Sequence, residues 1–226
     1  MKLICQKLQL PAADGIFHLS YGMVELPTGK MKSREGTVVD ADDLVEEMIN
    51  ISKEKTESLG KVSEFTQAQL TELYNTIGLG ALKFFLLRVD PKKKMIFNPE
   101  ESIDFHGFTG PFIQYTHARI KSILRKTGTS IQLTSSELLP LEKSLAIELS
   151  NFPAVINEAA ETLDPSKVAI YTFNLAKLFN SFYAEHSIAN AESEEKKQLR
   201  IQLSILTAAT LQKGMRALGI DVPEQM

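Results

Sequence analysis

The stretch Gly29-Lys30-Met31-Lys32-Ser33-Arg34-Glu35-Gly36 places three cations and a hydroxyl between two glycines. Such a loop suits a polyphosphate whose charge changes during reaction, because cations and a hydroxyl donor can follow the developing charge. Glycine-flanked backbone also allows closure over a nucleotide. Taken alone, the same composition describes a solvated turn. A second pattern lies in the charge. The chain of 226 residues carries a net charge of −3, with 25 Lys/Arg against 28 Asp/Glu. That total argues against a strongly cationic nucleic-acid binder. Residues 81–126, however, hold nine basic against four acidic side chains, a net of +5, between flanks of −4 each. A basic belt of this kind suits a phosphate backbone, since local potential matters more than the sum. It is equally a solvated surface of mixed charge.

Composition narrows the classes further. A single cysteine, Cys5, excludes an intrachain disulfide framework and an all-cysteine zinc site. The four histidines show no ligand spacing, so no metal site is expected. No apolar run reaches the roughly 18–20 residues that span a bilayer, and the start shows no secretory pattern. The reading is a soluble cytoplasmic protein without a membrane partner.

The elements that must position these residues follow from punctuation and period. Residues 16–24 (IFHLSYGMV) predict a short strand ahead of the loop, and Thr37–Val39 a second extended stretch. Asp40 predicts the cap of a helix using Leu44, Met48 and Ile51. Residues 53–61 read as the end of that helix or a link. A further helix runs from about Thr66 until Asp90-Pro91 breaks it. Pro111 opens the next, with Ile113, Ile120 and Leu124 on one side, and Gly128 ends it. Leu138, Leu141, Leu145 and Leu149 mark another. Asp164-Pro165 starts a helix with Val168, Tyr171, Leu175, Leu178 and Phe182 as its buried stripe. The last uses Leu199, Leu203, Leu206 and Ala209, and Gly219 ends it. The fold class predicted is mainly α, with a C-terminal antiparallel helix bundle preceded by a short α/β remnant.

Several motifs in one order then carry a resemblance. HLSYGMV, GKMKSREGTVV and VDADDL resemble the end of the catalytic domain of arginyl-tRNA synthetase, a class I aminoacyl-tRNA synthetase. IGLGALKFFLLRVDPKKKMIFNPEESIDF and GFTGPFIQYTHARIKSILRK look like the segments leading into that family's anticodon-binding bundle. AIYTFNLAKLFNSFY and MRALGIDVPEQM are similar to its later helices and tail. The pattern departs at Ser33, where the class I loop has its second lysine, and at Phe108, where the family commonly has Asn. Lys32, Arg34 or a lysine elsewhere is thus left as the phosphate contact.

The resemblance implies a remnant of a Rossmann-type catalytic domain over 1–40, a helical connection over 41–105 and the anticodon-binding bundle over 106–226. It implies an ATP-dependent activation of L-arginine, with Mg2+ on the ATP, and transfer to tRNA bearing an arginine anticodon. Lys30, Lys32, Ser33 and Arg34 would steady the leaving pyrophosphate. Met23 and Val24 would lie under adenine through their backbone, with Met31 and Gly36 completing the nucleotide loop. Tyr183 and Met226 match anticodon contacts, and Gln114, Arg119 and Arg125 fall in the tRNA-binding pattern. Tyr183 reads equally as a helix-end tyrosine with its ring in the core. Arg119 and Arg125 read equally as packing residues. The family's His-x-Gly-His motif is absent, so the expectation is a C-terminal piece that forms no arginyl-adenylate alone. The alternative is a non-catalytic helical module that binds RNA or protein.

Overall fold

The computed structural model describes residues 1–27, 40–58, 65–129 and 136–226. Among them lie eight helices, the first of them α1 (Lys2–Lys7), and one pair of two-residue strands, a mainly α fold. The expected Thr37–Val39 stretch falls outside the described residues.

Most helix starts follow their side-chain caps. The Asp40 carboxylate accepts from the Asp42 N–H (3.1 Å) ahead of α2 (Ala41–Ser58). Thr66 and Gln69 form a reciprocal capping box at α3 (Gln67–Leu87). Asn98 caps the short α4 (Pro99–Ser102). Thr109 caps α5 (Gly110–Thr127), whose first turn holds Pro111. Gly128, at φ +82°, ends α5 where a side chain would be strained. α6 (Pro140–Thr162) keeps Pro153 inside it. The Asp164 carboxylate accepts from the Ser166 N–H (3.0 Å) and hydroxyl (2.6 Å) at the start of α7 (Ser166–Glu185). Ser193 caps α8 (Glu194–Ala217).

Four expectations are corrected. Of residues 16–24, only Val24 joins a strand: β1 (Val24–Glu25) pairs in parallel with β2 (Met95–Ile96), which sequence pattern did not announce. Phe17, Leu19 and Tyr21 stand exposed, because β-prone residues form a ladder only where a partner strand meets them. α3 stops at Leu87, before Asp90-Pro91, where the Arg88 guanidinium turns onto the Phe85 ring (3.7 Å) and donates to the Phe108 carbonyl (2.6 Å). Leu138 lies exposed ahead of α6. Leu206 is 54% exposed, since α8 is wrapped by α5, α6 and α7 and buries Ile201, Ser204, Ala208, Leu211 and Met215 instead.

Two apolar cores result. Met48, Leu73, Ile77, Phe85, Phe97 and Ile103 form one between α2, α3 and the segment after β2. Ile113, Ile120, Leu145, Leu175, Phe179 and Leu211 anchor the other among α5–α8. α3 serves both, Phe85 facing one and Phe84 the other. It meets α5 backbone to backbone: a Cβ on Gly110 would stand 2.6 Å from the Gly80 carbonyl oxygen.

The segment after α8 is strapped along α3 and α5. Lys83 donates to the Gly219 carbonyl (2.7 Å), and Gln114 to the Asp221 carbonyl (2.9 Å). Arg125 donates to the Glu224 carbonyl (3.0 Å), while Lys121 pairs with its carboxylate (3.0 Å). His117 Nδ1 lies 3.0 Å from the Pro223 carbonyl, which can only accept, so Nδ1 carries the proton. Burial lowers the His117 pKa, against smaller upward pulls from the Pro223 carbonyl and Glu224.

α6 and α8 are pinned through a fully buried carboxylate. Glu142 accepts from Lys196 (2.6 Å), from Arg200 Nε (2.9 Å) and from the Leu139 N–H (2.9 Å). Arg200, 1% exposed, also holds the Ser187 carbonyl (2.7 Å) and Glu192 (2.6 Å). Burial pushes the Glu142 carboxyl up, but these donors together outweigh it and hold the group below its ordinary range.

Two outcomes follow. Glu142→Ala leaves buried Lys196 without a carboxylate and Arg200 with Glu192 alone, and should cost about 3–5 kcal/mol in denaturant unfolding; a cost near zero would mean the cage carries no stability. The lowered His117 pKa means its contribution is full above about pH 6.5 and is lost as pH falls through the lower folded value. Melting temperature should therefore fall between pH 7 and 5, and His117→Asn should flatten that slope.

Candidate nucleic-acid interface

A cavity of about 350 Å³ opens where α5, α7 and the strapped tail meet the ends of α2 and α3. Its lining is largely aromatic and apolar: Phe65, Leu73, Phe105, Phe112, Tyr115 and Met226. Flat, apolar walls of this kind suit a planar ring. Thr56, His106, Arg119 and Asn180 supply the polar groups.

Helical spacing builds the cationic wall. Tyr115 and Arg119 stand four residues apart on α5, and the guanidinium carbon lies 4.8 Å from the Tyr115 ring centre. Arg119 Nη1 donates to Asn180 Oδ1 (2.9 Å), and Asn180 Nδ2 donates to the Thr116 hydroxyl (2.9 Å). Thr116 in turn donates to the Phe112 carbonyl (2.9 Å). This relay fixes which way Asn180 points and so fixes the guanidinium over the ring. Phe105 meets Tyr115 edge-on, with centroids 6.4 Å apart.

Tyr183 follows Asn180 by one turn of α7. Its ring stacks on Phe179 at 6.3 Å and 7°, and the residue stays 38% exposed. Phe179 and Phe182 are wholly buried.

The residues singled out by sequence thus separate. Arg119 and Met226 line one cavity, and Tyr183 stands one helical turn from its Asn180 wall. Gln114 lies elsewhere. It has no solvent exposure, and its Nε2 is spent on the Thr76 and Asp221 carbonyls, so it offers no surface to RNA. Arg125, near the end of α5, is directed to the tail carbonyl of Glu224. Just before β1 the Met23 carbonyl accepts from the Met95 N–H (3.1 Å). The parallel ladder then turns the Val24 N–H and C=O to the opposite edge. Lys30, Met31, Lys32, Ser33, Arg34 and Gly36 lie outside the described residues.

Sequence reasoning passed over Asn180, Thr56, Phe105 and His106. Asn180 had a signal, as a lone amide between Phe179 and Phe182 in a buried stripe. Thr56 had none, sitting in a polar helix end far along the chain from its neighbours in the cavity. Among the described residues no group of His, Cys, Asp or Glu is set to hold a metal ion. No helix there is long and apolar enough to cross a membrane.

Comparison with known proteins bears on this geometry. Residues 113–226 match the family described as DALR anticodon binding domain, and residues 1–98 match the catalytic domain of class I (R) tRNA synthetases. The chain is 54% identical over 225 residues to an arginine–tRNA ligase of Flavobacterium psychrophilum, covering 99% of this chain and 37% of that protein. It is 49% identical to one of Bacteroides thetaiotaomicron, covering all of this chain and 39% of that protein. It therefore spans less than two-fifths of those relatives' length. The solved structure of Thermus thermophilus arginyl-tRNA synthetase superposes over the whole chain and 38% of its own, with a TM-score of 0.85 at 30% identity. With two family profiles met in order and a fold shared from end to end, the chain belongs to the arginyl-tRNA synthetase family of class I tRNA synthetases.

Proposed function

We propose that the chain belongs to a working arginine–tRNA ligase, in which residues 106–226 bind the anticodon of tRNA and residues 1–40 take part in ATP chemistry. The observation that carries this reading is the aromatic cavity holding Tyr115, Arg119 and Met226, with Tyr183 beside Asn180, inside the segment that matches an anticodon-binding family. Unpaired bases are held by stacking on aromatic rings and guanidinium planes, and both stand here in fixed orientation. Residues 41–105 connect the two ends. In this scheme arginine attacks the α-phosphate of ATP, giving arginyl-adenylate and pyrophosphate. The terminal ribose of the tRNA then takes the arginyl group. Lys30, Lys32, Ser33 and Arg34 steady the pyrophosphate, Met23 and Val24 approach adenine through their backbone, and Met31 and Gly36 shape the loop. Mg2+ enters on the ATP phosphates, and the reaction belongs to the cytoplasm, where tRNA is charged.

Two measurements test this reading. Tyr183→Ala should weaken binding of tRNA with an arginine anticodon by about tenfold, the scale of one lost base stack, in filter binding at fixed salt. The melting temperature should hold, and a drop of many degrees would return Tyr183 to the core. In the ligase itself, Lys32→Ala or Arg34→Ala should slow arginine-dependent pyrophosphate exchange. Unchanged rates for both would remove the loop from the chemistry.

A further inference from the structure

Four buried side-chain polar atoms among the described residues have no hydrogen-bond partner, on Glu25, Thr56, Gln114 and His117. One of these residues, Thr56, also lines the aromatic cavity. Thr56 is 6% exposed and sits in the last turn of α2. An orphaned buried hydroxyl destabilises a fold unless something completes it. Of the other polar groups, Asn180 is engaged on both sides, with Arg119 Nη1 on its Oδ1 and the Thr116 hydroxyl on its Nδ2, while His106 is exposed. The cavity thus has a fixed cationic wall on α5 and α7, aromatic faces, and Thr56 in its lining, whose hydroxyl oxygen is shielded from the cavity in this rotamer and has no bond to lose on turning toward it.

We propose that Thr56 is a specificity-determining residue for RNA, its hydroxyl hydrogen-bonding the edge of an unpaired base seated between Tyr115, Phe105 and Met226. The inference rests on the anticodon-binding reading of this cavity. It deepens that reading by adding a contact from outside the segment matching the anticodon-binding family, since α2 lies in residues 1–98. Threonine in a helix divides between two χ1 rotamers, and the exchange swaps hydroxyl for methyl. A base with a donor or acceptor at that edge draws the hydroxyl to the cavity wall and satisfies it. A hydroxyl can donate and accept, so base choice comes from pairing it with the donor-only guanidinium of Arg119 in the same cavity. A seated base is then gripped from both matched segments at once.

The test uses the 226-residue chain and an RNA hairpin whose seven-nucleotide loop carries an arginine anticodon. Each loop position is varied through the four bases. The wild-type chain should prefer one base at one position. Thr56→Val, which keeps shape and burial, should weaken that hairpin by about 5- to 10-fold and flatten the preference at that position alone. Thr56→Ser, which keeps the hydroxyl, should restore both. Without RNA, Thr56→Val should raise the melting temperature by roughly 2–4 °C, because an unsatisfied buried group is gone. Equal weakening of every loop variant, or a melting temperature many degrees lower, would assign Thr56 to packing and overturn the proposal. Unchanged affinity and preference in Thr56→Val, with a selective wild-type chain, would overturn it while leaving the anticodon reading intact. A wild-type chain that binds no loop better than a scrambled one would remove both.

Discussion

The strap after α8 is the constraint on which the rest depends. Extended chain carries backbone carbonyls that no helix satisfies, and buried ones must find donors. Here Gln114 and His117 supply them to Asp221 and Pro223, and Lys83 and Arg125 add exposed bonds to Gly219 and Glu224. That requirement explains why α5 buries Gln114 and His117 where an amphipathic helix would place apolar residues. It also explains why both keep an unpartnered atom, Gln114 Oε1 and His117 Nε2. Each side chain is oriented by the one tail carbonyl it must reach, and its other end is left over. With the tail so held, Met226 is delivered to the lining of the cavity that Arg119 also lines.

The two matched segments meet on α3. Its neighbouring residues Phe84 and Phe85 enter different cores, so a shift of α3 disturbs both. The contact with α5 through Gly80 and Gly110 has no side chain between the two backbones, and the Gln114 amide fits over Gly80. The helix that carries the cavity's cation and most of the strap's donors is therefore set directly against the helix that organises the other core. Arg88 adds to the joint by stacking on Phe85 and Phe108 and pairing with Glu101 (2.8 Å).

Most of the helical layout was legible in the sequence, because caps are local. Asp40, Thr66, Thr109 and Gly128 act within a few residues of where they stand. Strand pairing was not, since Val24 finds Met95 across seventy residues and nothing at either site announces the other. Leu206 misled because a helix wrapped on several sides has no single stripe to read. For the cavity, the family pattern around QYTHARI named Gln114 and Arg119 together. Five residues along a helix point in different directions, and the two serve different ends: Gln114 the strap, Arg119 the aromatic wall. Thr56 reaches the cavity by tertiary packing alone, which no spacing rule encodes.

The basic belt has a consequence for ionic behaviour. Of its nine cations, Arg88 and Lys121 face carboxylates, while Lys83, Arg119 and Arg125 are turned to oxygens of the protein itself. The other four, Lys92, Lys93, Lys94 and Lys126, stand exposed and are the ones a polyanion meets first. Each phosphate neutralised on a single strand contributes about 0.7 to the slope of log affinity against log salt. Four exposed cations set that slope at about 2.8 at most for a single strand, so whatever affinity outlasts rising salt comes from seated rings and hydrogen bonds.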